Sequence, residues 1–283
     1  MIRFATGGDR ERLKKLWGDI FGDAPEMVEA YFAHRHRDEN MLVEIQSDDI
    51  AGMLSMLPLR LASPGKSFPA RYIYAVATDI RYRNQGVSTR LLDYAHLFMQ
   101  GRGEAAAILV PASPSLFDFY GKRGYKTAFS LDTVRYEYTN LPPFPRDGYF
   151  APCAPEEYAS LRDKAFSSSR LYACWDENSV AYAVLSFGPE GGVTKLSSGN
   201  GGGCAAWERQ EDTVLIRELA ITNMDVPTAL AVLHKMLNAK AYRVRLPENS
   251  LPGASALPFG MIRWLIPEPT LQGKPPYLSL ALD

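Results

Sequence analysis

The stretch Arg71–Val110 constrains this chain more than any other. It opens with RYIYAVAT, a run of β-formers over Arg71–Thr78. A polar, glycine-bearing loop follows, DIRYRNQG. A helix is expected from Val87 to about Gln100, with Val87, Leu91, Ala95 and Phe98 on one stripe. Ala105–Val110 is then short and wholly apolar, as a buried strand is. Strand, loop, helix and strand in that order call for a sheet with helices on its faces, an α/β (α+β) fold.

The flanking sequence extends this frame. Ile2–Ala5 reads as a strand. Asp9 can cap a helix running to Phe21, with Leu13, Leu16, Trp17 and Ile20 on one face. Pro25 suits the first turn of a second helix, through Met27, Val28, Tyr31 and Phe32. Met41–Gln46 and Ile50–Leu61 read as strands joined by a turn at Ser47-Asp48-Asp49, and Pro64-Gly65-Lys66 makes another turn. Ser115–Lys122 reads as a short helix ended by Gly124, and Thr133–Tyr138 as a strand. Asn140–Tyr149 holds three prolines and is the linker candidate.

Beyond the linker the pattern partly repeats. A helix is expected over Pro155–Ala165, and strands over Leu171–Trp175 and Val180–Phe187. Gly188–Gly203 reads as a flexible surface loop. Thr213–Ile221, Val226–Asn238 and Ala241–Leu246 read as strand, helix and strand, echoing Arg71–Val110. Met261–Leu265 and Tyr277–Leu282 are strand candidates. The expected organisation is one domain over 1–139, a linker over 140–150 and a related second domain over 151–283.

The loop Arg83-Asn84-Gln85-Gly86-Val87-Ser88 suits an anion. The first turn of a helix leaves N–H groups unpaired and carries partial positive charge, which a diphosphate can meet. Gly86 removes a Cβ where backbone and phosphate must approach. Ser88 is small and can add a hydroxyl donor, and Arg81 and Arg83 add charge. Neither GxxxxGK[ST] nor GxGxxG is present, so this is neither a Walker loop nor a dinucleotide fingerprint. Read alone, an ordinary strand-to-helix turn competes with a phosphate site.

Bulk properties exclude other classes. Net charge is −1 over 283 residues, which gives nucleic acid no general purchase. No apolar run reaches the roughly 20 residues of a membrane helix, and the first residues show no signal-peptide core, so a cytoplasmic protein is expected. Cys153, Cys174 and Cys204 lack CxxC spacing and read as buried free thiols. His34 and His36 are two apart and would face different ways on a helix, so no metal site is expected.

With its flanking strand and helix, VATDIRYRNQGVSTRLL resembles the acetyl-CoA motif of the GNAT-type N-acetyltransferase superfamily. That motif runs Arg/Gln-x-x-Gly-x-Gly/Ala, and Arg83, Gly86 and Ser88 occupy its three positions, Ser standing for Gly/Ala. The resemblance implies that backbone groups of Val76, Ala77 and Thr78 contact the pantetheine arm. It implies that Arg83 through Thr89 hold the pyrophosphate, and that pantetheine lies in a V-shaped gap between two parting strands. SPSLFDFYGKRGY resembles the following helix, in which a tyrosine often sits beside the CoA sulfur. Tyr120 takes that place, a phenol suited to reprotonating a thiolate. Ser113 falls where many relatives carry an Asn near the cofactor. Leu116 and Phe117 are implied as apolar cofactor contacts.

No general base is legible. Many relatives place a Glu on the strand before the loop, where this chain has Tyr72 and Tyr74 and no carboxylate until Asp79. Glu44, Glu26 and Glu29 fit solvated faces as well as a cleft.

The tandem order resembles the enhanced-intracellular-survival acetyltransferases, in which an active GNAT domain is joined to a degenerate one and the terminal carboxylate takes part in catalysis. That likeness points to Asp283. The second unit lacks Arg-x-x-Gly, and Pro227 removes an N–H at its helix start, so it is not expected to bind acetyl-CoA. It would shape the acceptor cleft or a subunit interface, as in a homo-oligomer. Trp175, Trp207 and Trp264 read as core or interface. The expected function is acetyl transfer from acetyl-CoA to a small-molecule or peptide amine. A non-catalytic acyl-CoA-binding module, or a site for another phosphate ligand, are the competing readings.

Overall fold

Thr6 and Asp9 begin the first helix one turn earlier than Asp9 alone would. The Asp9 carboxylate accepts from the Thr6 N–H at 2.8 Å and the Thr6 hydroxyl at 2.9 Å, and Arg3 clamps it from outside. The computed structural model describes residues 1–251 and 256–280. Its elements run β1 (Ile2–Phe4), α1 (Arg10–Phe21), α2 (Pro25–His34), β2 (Met41–Gln46), β3 (Asp49–Ser63), β4 (Lys66–Thr78), α3 (Val87–Gly101), β5 (Ala106–Leu109), α4 (Pro114–Gly121) and β6 (Lys126–Glu137). They continue with β7 (Tyr149–Pro152), α5 (Pro155–Phe166), β8 (Tyr172–Cys174), α6 (Glu177–Ser186), β9 (Gly191–Ser198), β10 (Gly201–Gln210), β11 (Thr213–Thr222), α7 (Val226–Leu237), β12 (Ala241–Pro247) and β13 (Leu257–Trp264). Among the described residues no helix is long and apolar enough to cross a membrane.

The strands form one mixed sheet in the order β1-β2-β3-β4-β5-β13-β6-β12-β11-β10-β9-β7, with β8 added against β3. Read inward from either edge, the order is the same. On one side β1 to β4 lie antiparallel, and α3 crosses to a parallel β5. On the other, β7, β9, β10 and β11 lie antiparallel, and α7 crosses to a parallel β12. The innermost strands are exchanged. β13 pairs with β5, and β6 with β12, so each series ends on a strand from the other half of the chain. β13 and β6 then pair with each other and make the sheet continuous. One core cluster likewise joins Leu57, Tyr72, Ile108 and Phe129 to Tyr158, Tyr172, Trp175 and Leu278.

Three expectations are corrected. Val180–Phe187 is not a strand but most of α6, which Asp176 caps by accepting from the Ser179 N–H at 2.8 Å. Gly188–Gly203 is not a flexible loop but holds β9 and the start of β10. Two of its glycines serve close strand approach. A Cβ on Gly203 would lie 1.9 Å from the Ala220 carbonyl oxygen, and one on Gly201 would lie 2.2 Å from that of Asn223. Tyr277 makes only a single bridge to Tyr172, so no strand starts there, and the last two residues of that candidate lie outside the described residues.

Beneath α3, a trio of side chains, two of them buried, ties β13 to the first series. The Arg263 guanidinium donates to His96 Nδ1 at 2.9 Å, which fixes the ring as the neutral tautomer protonated at Nε2, facing the Tyr125 hydroxyl at 2.8 Å. Burial, then the Arg263 charge, hold the His96 pKa down at about 3. An unfolded histidine titrates near ~6.5, so the unfolded chain takes up this proton first.

Two outcomes follow from these contacts. Stability should fall as pH drops from about 6.5 toward 3, by up to about 1.4 kcal/mol per pH unit from this group, and His96→Gln should flatten that slope in urea titrations at stepped pH. Gly203→Ala should lower unfolding free energy by about 1–3 kcal/mol, where a glycine of a mobile loop would change it by under about 0.5.

Candidate active site

β4 and β5 pair only as far as Tyr72 opposite Ile108. Just beyond, β4 bulges: Ala75 and Val76 together face the single residue Leu54 of β3, and Ala75 takes a left-handed φ of 49°. The bulge turns the strand as its ladder to β5 ends. The two strands thus part as expected, and the edge of β4 carrying Val76, Ala77 and Thr78 faces away from β3 without a strand partner. A cavity of about 700 Å³ opens there, with Val76, Leu109, Val110, Leu116, Phe117 and Tyr120 on its walls.

The loop Arg83–Ser88 lies at the surface beside this gap, outside the cavity wall. Gly86 is the N-cap of α3 with φ 76°, and no side chain caps the helix. Asn84 also takes a left-handed φ, 61°. Among the described residues the N–H groups of Gly86, Val87, Ser88 and Thr89 donate to no backbone carbonyl. That is the open helix start an anion needs.

The charges nearby are distributed differently from the expectation. Arg81 is held by Asp79 and Asp49, with Arg12 bound to the same two acids. Hydrogen bonds from Arg12 and Arg81 hold the Asp49 carboxyl down at about 2. Arg81 therefore braces the loop rather than offering free charge. Arg83 is exposed and engages no acid among the described residues. Arg123, from the KRGY stretch, donates to the Thr89 hydroxyl, so a second guanidinium stands at the first turn of α3. The paired basic residues Lys122 and Arg123 were the signal for it. Thr89 is thus already engaged. Ser113 caps no N–H of α4, and its hydroxyl meets Ser115 at 3.1 Å.

Tyr120 is 8% exposed and lies on the cavity wall. Its hydroxyl makes no hydrogen bond with the described residues, so the donor is unspent. Burial pushes the phenol up to about 12, against a smaller lowering by Arg123.

The carboxylates considered as bases go elsewhere. Glu44 is buried against Arg90, and Glu29 pairs with Lys14 at 2.8 Å. Neither these nor Glu26 lines the cavity. The acid that does is Asp23, in the turn between α1 and α2, whose Oδ2 accepts from the Trp17 indole at 2.7 Å. Asp283 lies outside the described residues.

The comparisons agree with this geometry. Residues 1–128 match the family model of the acetyltransferase (GNAT) domain. No curated protein sequence matches the chain. In fold it is similar to a GCN5-related N-acetyltransferase of Anabaena variabilis, at TM-score 0.74 and 17% identity over 94% of this chain and 73% of that one. It is similar to another from Kribbella flavida, at 0.72 and 15% over 94% and 72%. Eis1 of Mycobacterium abscessus gives 0.70 and 15% over 94% and 74%. Residues 1–128 form a GNAT acetyltransferase domain. The chain carries an acyltransferase domain of this type, and the GNAT fold continues into a second, degenerate GNAT-like unit.

The degeneracy of that unit has a physical form. β11 and β12 also part, after Ile216 opposite Val244. Glu218 then stands two residues past the last pair, as Tyr74 does on β4. It accepts from Arg162 at 2.9 Å and from Tyr158 at 2.8 Å, with all three fully buried. The start of α7 is capped by its own Asp225, which accepts from the Thr228 N–H at 2.7 Å. An acid thus sits where the GNAT unit leaves its N–H groups open.

If the α3 start holds the cofactor, Gly86→Glu should leave the chain folded by circular dichroism and abolish CoA binding in calorimetry. The substitution puts a carboxylate and a strained left-handed φ at the anion niche.

Proposed function

We propose that the chain transfers the acetyl group of acetyl-CoA directly to a primary amine, with Tyr120 as the acid. In this reading pantetheine runs along the open edge of β4 at Val76, Ala77 and Thr78. Its pyrophosphate meets Arg83, Asn84, Gln85, Gly86, Val87, Ser88 and Thr89, with Ser113 and Phe117 near the arm. Residues 1–139 form the catalytic unit, 140–150 a linker, and 151–283 a unit that shapes the acceptor side. Support for that last role comes from Tyr182, Ser186, Arg217 and Arg245, which line the same cavity as Tyr120.

The observation that carries the reading is the unspent Tyr120 hydroxyl on the wall of a cavity that begins where β4 and β5 part. The amine nitrogen attacks the thioester carbonyl, the N–C bond forms and the C–S bond breaks. The nitrogen loses one proton to solvent, the sulfur takes one from Tyr120 and leaves as the thiol, and the phenoxide regains a proton from solvent. A phenol held at about 12 stays protonated at neutral pH and offers its O–H to the departing sulfur throughout.

Tyr120→Phe should lower kcat for thiol release about 10²-fold while changing CoA affinity little. An unchanged rate would remove Tyr120 from the chemistry. A parent protein that binds CoA and releases no thiol with any amine would favour the non-catalytic binding module.

A further inference from the structure

The acceptor side of the cavity has a composition of its own. Trp17 meets Tyr74 edge-to-face at 5.5 Å, and Tyr72 stacks on Tyr74 at 5.9 Å. Tyr182, from α6, closes the box against Tyr31 at 5.7 Å. Asp23 is fixed at its edge by the Trp17 indole. Asp23, Tyr74 and Tyr182 line the same cavity, and the Asp23 charge adds to the burial that raises both phenols. Ring faces attract cations, and more strongly where water is excluded.

The same wall argues against polycations and sugars. Among the described residues lining the cavity there is one carboxylate, Asp23, and there are two guanidiniums, Arg217 and Arg245. Among those residues a second or third ammonium on the acceptor finds no further acid. An aminosugar needs hydrogen-bond partners around each ring edge, and among the described residues the wall has neither Asn nor Gln, its neutral polar groups being Ser186 and the hydroxyls at the tips of four tyrosine rings.

We propose that the acceptor is a monoamine on a flat apolar body, an arylalkylamine, whose ammonium is received by Trp17, Tyr74, Tyr182 and Asp23. The ring lies along the aromatic wall, and the nitrogen reacts at the thioester once deprotonated. This inference rests on the acetyltransferase reading and narrows its substrate.

The test uses the full chain with saturating acetyl-CoA and measures thiol release with 2-phenylethylamine, spermidine and kanamycin, with CoA binding followed separately by calorimetry. 2-Phenylethylamine should give a kcat/KM at least about 10-fold above either of the others. Asp23→Asn should lower its kcat/KM about 10-fold, mainly through KM, and leave CoA affinity unchanged. Spermidine or kanamycin turned over as well as 2-phenylethylamine would overturn the substrate class and leave acetyl transfer standing. So would an unchanged KM in Asp23→Asn. No thiol from any amine, with CoA still bound, would remove acetyl transfer and this inference together.

Discussion

The ladder between β4 and β5 ends at Tyr72 and Ile108, and the rest of the molecule is arranged around that ending. A strand edge that stops pairing leaves N–H and C=O groups that must find water, ligand or another strand. The Ala75–Val76 bulge commits β4 to parting by spending a left-handed residue inside a strand. Such a gap would close if β5 were free to slide back. It is held from the other side by β13, which pairs Met261 through Trp264 with Leu109 through Ala106. β13 is tied in turn to α3 through Arg263 and His96. The helix that offers its start to an anion is therefore anchored to the strand that keeps the gap open.

The second series shows the same topology without the opening. Its strands part after Ile216 and Val244, yet the space receives Glu218, Arg162 and Tyr158 instead of a ligand. Burying such a pair carries a large desolvation cost, offset only when both ions are well hydrogen-bonded. Here Glu218 has Arg162 and Tyr158, and Arg162 also reaches the Ala173 carbonyl. Pro227 and the Asp225 cap remove the anion site at α7. One parted pair thus opens on a cavity and the other is a packed joint. The two differ in side chains and not in strand order.

Local rules made much of this legible. The helix start at Gly86 and Val87 could be read because helix starts and glycine φ values act over a few residues. The short helix that carries Tyr120 ahead of Lys122-Arg123-Gly124 could be read in the same way. Other features depended on distant partners. Gly201 and Gly203 looked like flexibility, but they are glycines because Asn223 and Ala220 leave no room for a Cβ. Val180–Phe187 has a strand-like composition, but Asp176 starts a helix ahead of it. Asp23 belongs to no motif and enters the cavity only because α1 and α2 fold back over β4. The exchange of β13 and β6 leaves no trace in either strand's own pattern.

Charge around the loop follows the same logic. Two of the arginines that lend it a basic look, Arg81 and Arg90, are bound to Asp79, Asp49 and Glu44, so their charge is largely cancelled. What remains is a set of backbone N–H groups at one helix start, with Arg83 and Arg123 beside them. Backbone donors are fixed in direction and need no side-chain ordering when a ligand arrives. Grip of this kind depends on where the peptide groups point, which Gly86 and Asn84 set through their left-handed φ values. Ser88 in place of a smaller residue leaves that direction unchanged, because it lies within the first turn of α3.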